Sequence, residues 1–186
     1  EQAGGVDSLR SNRTTRALTS PPTDMAFYGD SFFSTKITQT TLAAGTAIAN
    51  YFAAGTVAQG KTLLAAATGF TSGTLSLTLI PGSGGQVKLT ATSSALLTGT
   101  CLPVQISMQD QFGNGTTASA ATASTLSANG SAASGAGFFA DSSCSAAISQ
   151  VTIAANSSAN FFSVTDTTSG QLTVKATPPS PIAAGT

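Results

Sequence analysis

The stretch FYGDSFFSTKITQTTLAAGTAIANYF, residues 27–52, returns in altered form as FFADSSCSAAISQVTIAANSSANFF, residues 138–162. Phe27/Phe138, Asp30/Asp141, Ser34/Ser145, Ile37/Ile148, Gln39/Gln150 and Thr41/Thr152 share one offset of 111. A one-residue slip then aligns Asn50/Asn160, Tyr51/Phe161, Phe52/Phe162 and Gly60/Gly170 at 110. A period of that length is a whole domain, longer than the roughly 20–50-residue unit of a solenoid. The chain therefore reads as two copies of one domain, residues 1–81 and 82–186, joined near residues 81–85.

Within each copy the apolar residues alternate. Val104, Ile106 and Met108 are separated by polar neighbours, as are Val87 and Leu89, Val151 and Ile153, Leu172 and Val174, and Leu75, Leu77 and Leu79. Period-2 alternation puts one face of a strand on a core and the other in water. Gly- and Asn-rich clusters at 82–85, 112–115, 129–131 and 167–170 separate the runs. Short strands spaced by turns predict a β-sandwich, with strands in the second copy at 86–92, 102–109, 122–128, 137–140, 148–153, 158–164 and 171–177. Residues 43–49 have some helical character, but their counterpart contains Asn156, Ser157 and Ser158, which favours a loop.

The two copies are short at opposite ends. The first has no equivalent of residues 86–109; its residues 7–15 match 110–117 loosely, downstream of those strands. In the second, Gly185 and Thr186 align with Gly73 and Thr74, and nothing corresponds to 75–80. A sandwich short of strands presents unpaired edges to other chains. A stretch of a longer tandem array accounts for this first; subunits completing one another by donated strands is the second account. A start at Glu1 in place of Met fits a processed chain or a fragment.

Composition narrows the function. Charged residues make up 8% of the chain and the net charge is zero, so the basic patch of a nucleic-acid binder is not expected. No apolar run reaches the ~20 residues of a membrane span. The chain has no His, which removes the usual general base and any Ser-His-Asp or Cys-His arrangement. Asp30 and Asp141 are repeat equivalents, one per copy, and read as turn-capping residues. Gly82, Ser83, Gly84 and Gly85 lack the Lys-Ser/Thr of a phosphate loop and read as an interdomain hinge. Asp110, Asn114, Asp141 and Asp166 offer oxygens for calcium, but too dispersed to imply a site. Arg10, Arg13 and Arg16 read as a solvated loop, and Tyr28, Phe32 and Phe33 as core packing with contact surface as the alternative. Asn12, Asn114, Asn129 and Asn156 open glycosylation sequons of the kind a Ser/Thr-rich chain yields by chance. No enzyme, cofactor or metal is implied.

Residues 87–114, VKLTATSSALLTGTCLPVQISMQDQFGN, followed by 137–177, with the elements QD-x-FGN and FF-x-D-S-x-C, resemble tandem bacterial immunoglobulin-like repeats of invasin- and adhesin-type surface proteins. The resemblance covers the second copy well and the first in part. It implies an all-β fold of two tandem immunoglobulin-like β-sandwich domains, the first lacking its opening strands and the second its final strand. It also pairs Cys101 with Cys144; two free buried thiols is the other reading of the residues. Closing a loop of that length stabilises by roughly 4 kcal/mol in the chain-entropy relation, and a bridge belongs to an oxidising compartment. Phe33 stands where the first copy would need its second cysteine. Lys88 or Lys175 with Asn160 and Asp110 could form the isopeptide cross-link seen in some such domains, though solvated lysines are the plainer reading.

The expected function is non-catalytic: a structural segment of an extracellular bacterial fibre, stalk or adhesin array. Its partners would be neighbouring copies or adjacent repeats joined by β-strand pairing. A cell-surface or glycan ligand at an adhesin tip is the alternative, weakened by the absence of Trp; an accessory module of a secreted hydrolase is the third class.

Overall fold

A computed structural model of the chain describes residues 14–19, 24–43, 46–182 and 184–185. Asp7, Arg10, Asn12 and Arg13 lie outside them. The chain divides into two compact units that part between Ile80 and Pro81. Apart from one 3-10 turn, Ala133–Gly135, every regular element among the described residues is a strand.

The first unit contains β1 (Thr14–Thr19), β2 (Met25–Tyr28), β3 (Lys36–Ile37), β4 (Gln39–Leu42), β5 (Phe52–Gly55), β6 (Gly60–Ala66) and β7 (Gly73–Thr78). They form two antiparallel sheets, ordered β4-β1-β6-β7 and β3-β2-β5. The second unit contains β8 (Gln86–Ala91), β9 (Leu102–Gln109), β10 (Thr122–Asn129), β11 (Ala136–Phe139), β12 (Gln150–Ile153), β13 (Ala159–Asp166) and β14 (Thr173–Thr177). Its antiparallel sheets are ordered β12-β10-β14 and β11-β13-β9-β8.

The two topologies match over five strands. β1, β2, β4, β5 and β6 correspond to β10, β11, β12, β13 and β14. The first unit has no counterpart of β8 and β9 among the described residues, and among these β5 is the edge strand of its sheet. Among the described residues the second has no strand corresponding to β7, and beyond the Ala176–Gly185 bridge β14 is the edge strand of its sheet. Both are immunoglobulin-like sandwiches, and among the described residues they are short of strands at opposite ends.

The register corrects the sequence alignment in one respect. Phe27 pairs with Ala53, and Phe138 with Val164, so the offset remains 111 through β5 and β13. The slip to 110 does not occur. A one-residue shift sends every side chain to the other face, and the aromatic contacts decide between the two. Phe27 meets Tyr51 edge-on at 5.6 Å, and Phe138 meets Phe162 edge-on at 6.2 Å. Tyr51 is therefore the equivalent of Phe162, which is buried, whereas Phe161 is 60% exposed.

Among the described residues, the difference in strands accounts for the unequal cores. In the second unit β8 and β9 contribute Val87, Val104, Ile106 and Met108, which pack on Phe162, Val164 and Ile153. Burying those four side chains is worth on the order of 10 kcal/mol of transfer free energy, as an upper estimate. Without their counterparts, the first unit's core cluster has only Phe27 and Leu63 as fully buried members among the described residues, with Met25, Ile37, Tyr51, Ala53, Ala65 and Leu77 packed around them.

Three local expectations change. Regular pairing starts at Gln150 and Thr173, two residues later than the alternation indicated. The described part of residues 43–49 is a turn, with the Thr46 N–H donating to the Ala43 carbonyl. The glycine segment expected as a hinge is fixed within the second unit. The Gly82 N–H donates to Asp110, the Gly85 N–H to the Gln109 carbonyl, and Gly84 lies against Met108.

Candidate functional site

The aspartates named by the repeat are loop closures. Asp30 accepts the backbone N–H groups of Phe32, Ser34 and Thr35 at 3.0, 3.2 and 2.8 Å. Asp141 accepts those of Ser143, Ser145 and Ala146, together with the Ser143 hydroxyl. Each loop places one non-glycine residue in the left-handed region, Phe33 at φ 56° and Cys144 at φ 54°, a strain that convergent hydrogen bonds to one carboxylate can hold. Asp110 plays a comparable part, accepting from the N–H groups of Gly82, Phe112 and Asn114 and from the Asn114 side-chain amide.

Donors directed at a carboxylate favour its charged form. The Ser34 and Thr35 N–H groups bring Asp30 down to about 2. The Asn114 amide, with the Gly82 N–H, brings Asp110 to about 2. The Ser143 hydroxyl and the Ala146 N–H hold Asp141 well below the ordinary carboxylate range. These carboxylates are committed to backbone N–H groups and to the side chains of Asn114 and Ser143. Asp110 and Asn114 come together as each other's partners, Asp141 closes a separate loop, and Asp166 stands apart from both. Among the described residues, no three acidic or sulfur-bearing side chains converge as a metal would need. Asn160 donates to the Thr152 carbonyl, so it and Asp110 both have partners other than Lys88 and Lys175.

Cys101 and Cys144 form a disulfide with Cα atoms 5.9 Å apart. The bond ties the start of β9 to the Asp141 loop, between β11 and β12. At the equivalent of Cys144, Phe33 packs edge-on against Tyr28 at 5.3 Å and Phe52 at 6.5 Å. Phe32 is 89% exposed. The Phe33 and Phe52 rings meet at β5, on the strand beside which the second unit has β9.

The second unit has a cleft of about 760 Å³ between β8 and β14. Leu89, Leu96, Val104, Val164, Leu172 and Val174 supply its apolar wall, and Asp166 is its acidic residue. Asp166 is 4% exposed; its Oδ1 accepts the Thr168 N–H. Its Oδ2 is buried without a hydrogen-bond partner among the described residues. Gly185 lies at one end of this cleft. It exchanges both backbone hydrogen bonds with Ala176, at 2.9 and 3.0 Å. A Cβ at Gly185 would stand 2.5 Å from the Val87 carbonyl oxygen, so only glycine fits.

Sequence reasoning missed two of these features. Lys61 is buried in the first unit, its Nζ 2.6 Å from Asp24 Oδ2, and that contact lowers the Asp24 pKa. The available signal was a lysine in phase with Leu63 and Ala65, on the apolar side of β6. Asp166 was considered only as a dispersed calcium ligand, because nothing in the chain order places it in a cleft.

The chain matches no family model and no curated protein. Among solved structures it is similar to a glycosyl hydrolase family 2 member from Bacteroides cellulosilyticus DSM 14838, at 14% identity and TM-score 0.42, over 91% of this chain and 22% of that one. It is also similar to a β-glycosidase from Bacteroides vulgatus, at 8% identity and TM-score 0.43, over 91% of this chain and 20% of that one. A third is domains 4 and 5 of the S-layer protein SbsC, at 12% identity and TM-score 0.30, over 91% and 96% of the two chains. The chain thus spans about a fifth of the length of the two glycoside hydrolases. The functional reading rests on this chain's own residues.

Proposed function

We propose that this chain is a non-catalytic structural segment of an extracellular fibre, stalk or surface array. Its modules are joined to neighbouring repeats or copies by β-strand pairing. The observation that carries the reading is a pair of sheet edges, β5 in one unit and β14 beyond its Gly185 bridge in the other, with no neighbouring strand among the described residues, each lying where its sister unit has a further strand. An open edge offers a row of unpaired N–H and C=O groups, and β-augmentation supplies affinity through the main chain. Two further facts support the reading. The carboxylates of Asp30, Asp110 and Asp141 are engaged in closing loops, and the chain has no His for general base work. The disulfide supports an oxidising, extracytoplasmic setting.

The test is assembly. If copies pair edge to edge, the unfolding midpoint should rise with protein concentration, because association covers the edges. Electron microscopy of concentrated protein should show regular linear polymers. Independent unfolding of every unit, with only monomers at high concentration, would count against the proposal.

A further inference from the structure

We propose that the cleft between β8 and β14 is the seat of a further antiparallel strand continuing from Gly185, and that this strand presents a lysine or arginine to Asp166. The inference rests on the strand-pairing reading above and gives it a register and a chemistry.

The register follows from Gly185. In an antiparallel ladder, residues that exchange both hydrogen bonds alternate with residues that exchange none. Ala176 and Gly185 form such a pair, so Val174 and Leu172 turn their N–H and C=O groups toward the same edge. The first unit has the completed version. There Ala65, Leu63 and Lys61 pair with Gly73, Leu75 and Leu77. Ala65 and Gly73 correspond to Ala176 and Gly185, so Gly185 occupies the opening position of a β7-like strand. Directly opposed residues share a face. The incoming strand therefore places apolar side chains opposite Val174 and Leu172, at the positions of Leu75 and Leu77. In the first unit Leu75 is 56% exposed, with no β8 counterpart over it among the described residues. In the second unit β8 supplies that wall.

The acidic residue departs from this repeat, and the departure specifies the partner. Met25 pairs with Gly55, and Ala136 with Asp166, so Gly55 and Asp166 are equivalent. A Cβ built on Gly55 would lie 2.6 Å from the Leu79 side chain. The side chain at this position is thus aimed at the residue just beyond β7. In the second unit it is a carboxylate with an unpartnered buried oxygen. A leucine there would leave that oxygen desolvated and unpaired, which is costly. The first unit also brings a carboxylate to this end of its sandwich and supplies the cation from within: Asp24 takes Lys61. Leu172 stands at the Lys61 position in the second unit, so the cation has to arrive with the strand.

The test extends the full chain after Thr186 with Leu-Ser-Leu-Thr-Lys-Ile, the 75–80 sequence carrying lysine in place of Leu79. A second extension keeps leucine there, and a third is a scrambled control. Both ordered extensions should slow hydrogen exchange at the Val174 and Leu172 amides by about 100-fold or more, as new ladder hydrogen bonds do. The lysine form should melt higher than the leucine form, on the order of 5 °C for the second unit, and the difference should vanish in Asp166→Asn. If neither extension protects those amides, the seat is overturned, and with it strand pairing at β14. If both protect them equally and the lysine brings no gain, the cation at Asp166 is overturned while the strand-pairing reading stands.

Discussion

Replacing Cys101 and Cys144 together with serine should cost the second unit about 4 kcal/mol and leave the first unit untouched. The bridge joins residues 43 positions apart. On the chain-entropy relation, a closed loop of that size removes about 13 cal/mol/K from the unfolded ensemble, or about 4 kcal/mol at 25 °C. Small domains have about 5–15 kcal/mol in total, so the loss is a large share of the unit's stability. With a urea slope of about 1–2 kcal/mol per molar, the unfolding midpoint should fall by about 2–4 M. The assay is urea unfolding with two separated probes. Tyr28 and Tyr51 are the chain's only tyrosines, so their fluorescence reports on the first unit, while far-ultraviolet circular dichroism reports on both. The first unit contains no cysteine, so its transition is the internal control. Because the effect acts through the unfolded chain, the folded spectrum should not change. A midpoint shift below about 0.5 M, or an equal shift in both transitions, would refute the reasoning.

Four further outcomes follow. Phe162→Ala should destabilise the second unit by about 3–5 kcal/mol, because the ring is fully buried; Phe161→Ala should change it by less than about 0.5 kcal/mol, and a reversed order in chemical denaturation would restore the 110 offset. Lys61→Ala should lower the first unit's melting temperature and leave the second unchanged, since it strands Asp24 beside an apolar core; differential scanning calorimetry reads both. Asp30 and Asp110 have folded pKa values of about 2, below the ordinary 3.8, so their stabilisation is complete above about pH 5 and is lost as pH falls through about 4 toward 2. Thermal melts across that range should show a flat neutral limb and an acid decline, shallower for the second unit in Asp110→Ala. Gly185→Val should release the Ala176 contact, read as faster exchange of the Ala176 amide, because a side chain there meets the Val87 carbonyl.

The repeat and its alternation carried most of the fold, because both are local properties of the chain. Inward residues at every second position, separated by Gly and Asn turns, make strands wherever they occur, and a domain-length period makes two similar sandwiches. The shortage of strands at opposite ends was legible for the same reason: it is a comparison of two stretches of one sequence. Asp30 and Asp141 were legible as turn caps, since the donors they accept lie two to five residues away. What only the tertiary structure decided depends on residues distant in the chain. The one-residue slip was settled by which of Phe161 and Phe162 faces Phe138 across the sheet. Lys61 found Asp24 across 37 positions, and Asp166 acquired its meaning from a cleft walled by β8, β9 and β14. Burial and pairing are properties of space, and a sequence records them only where neighbours in space are also neighbours in the chain or copies of one another.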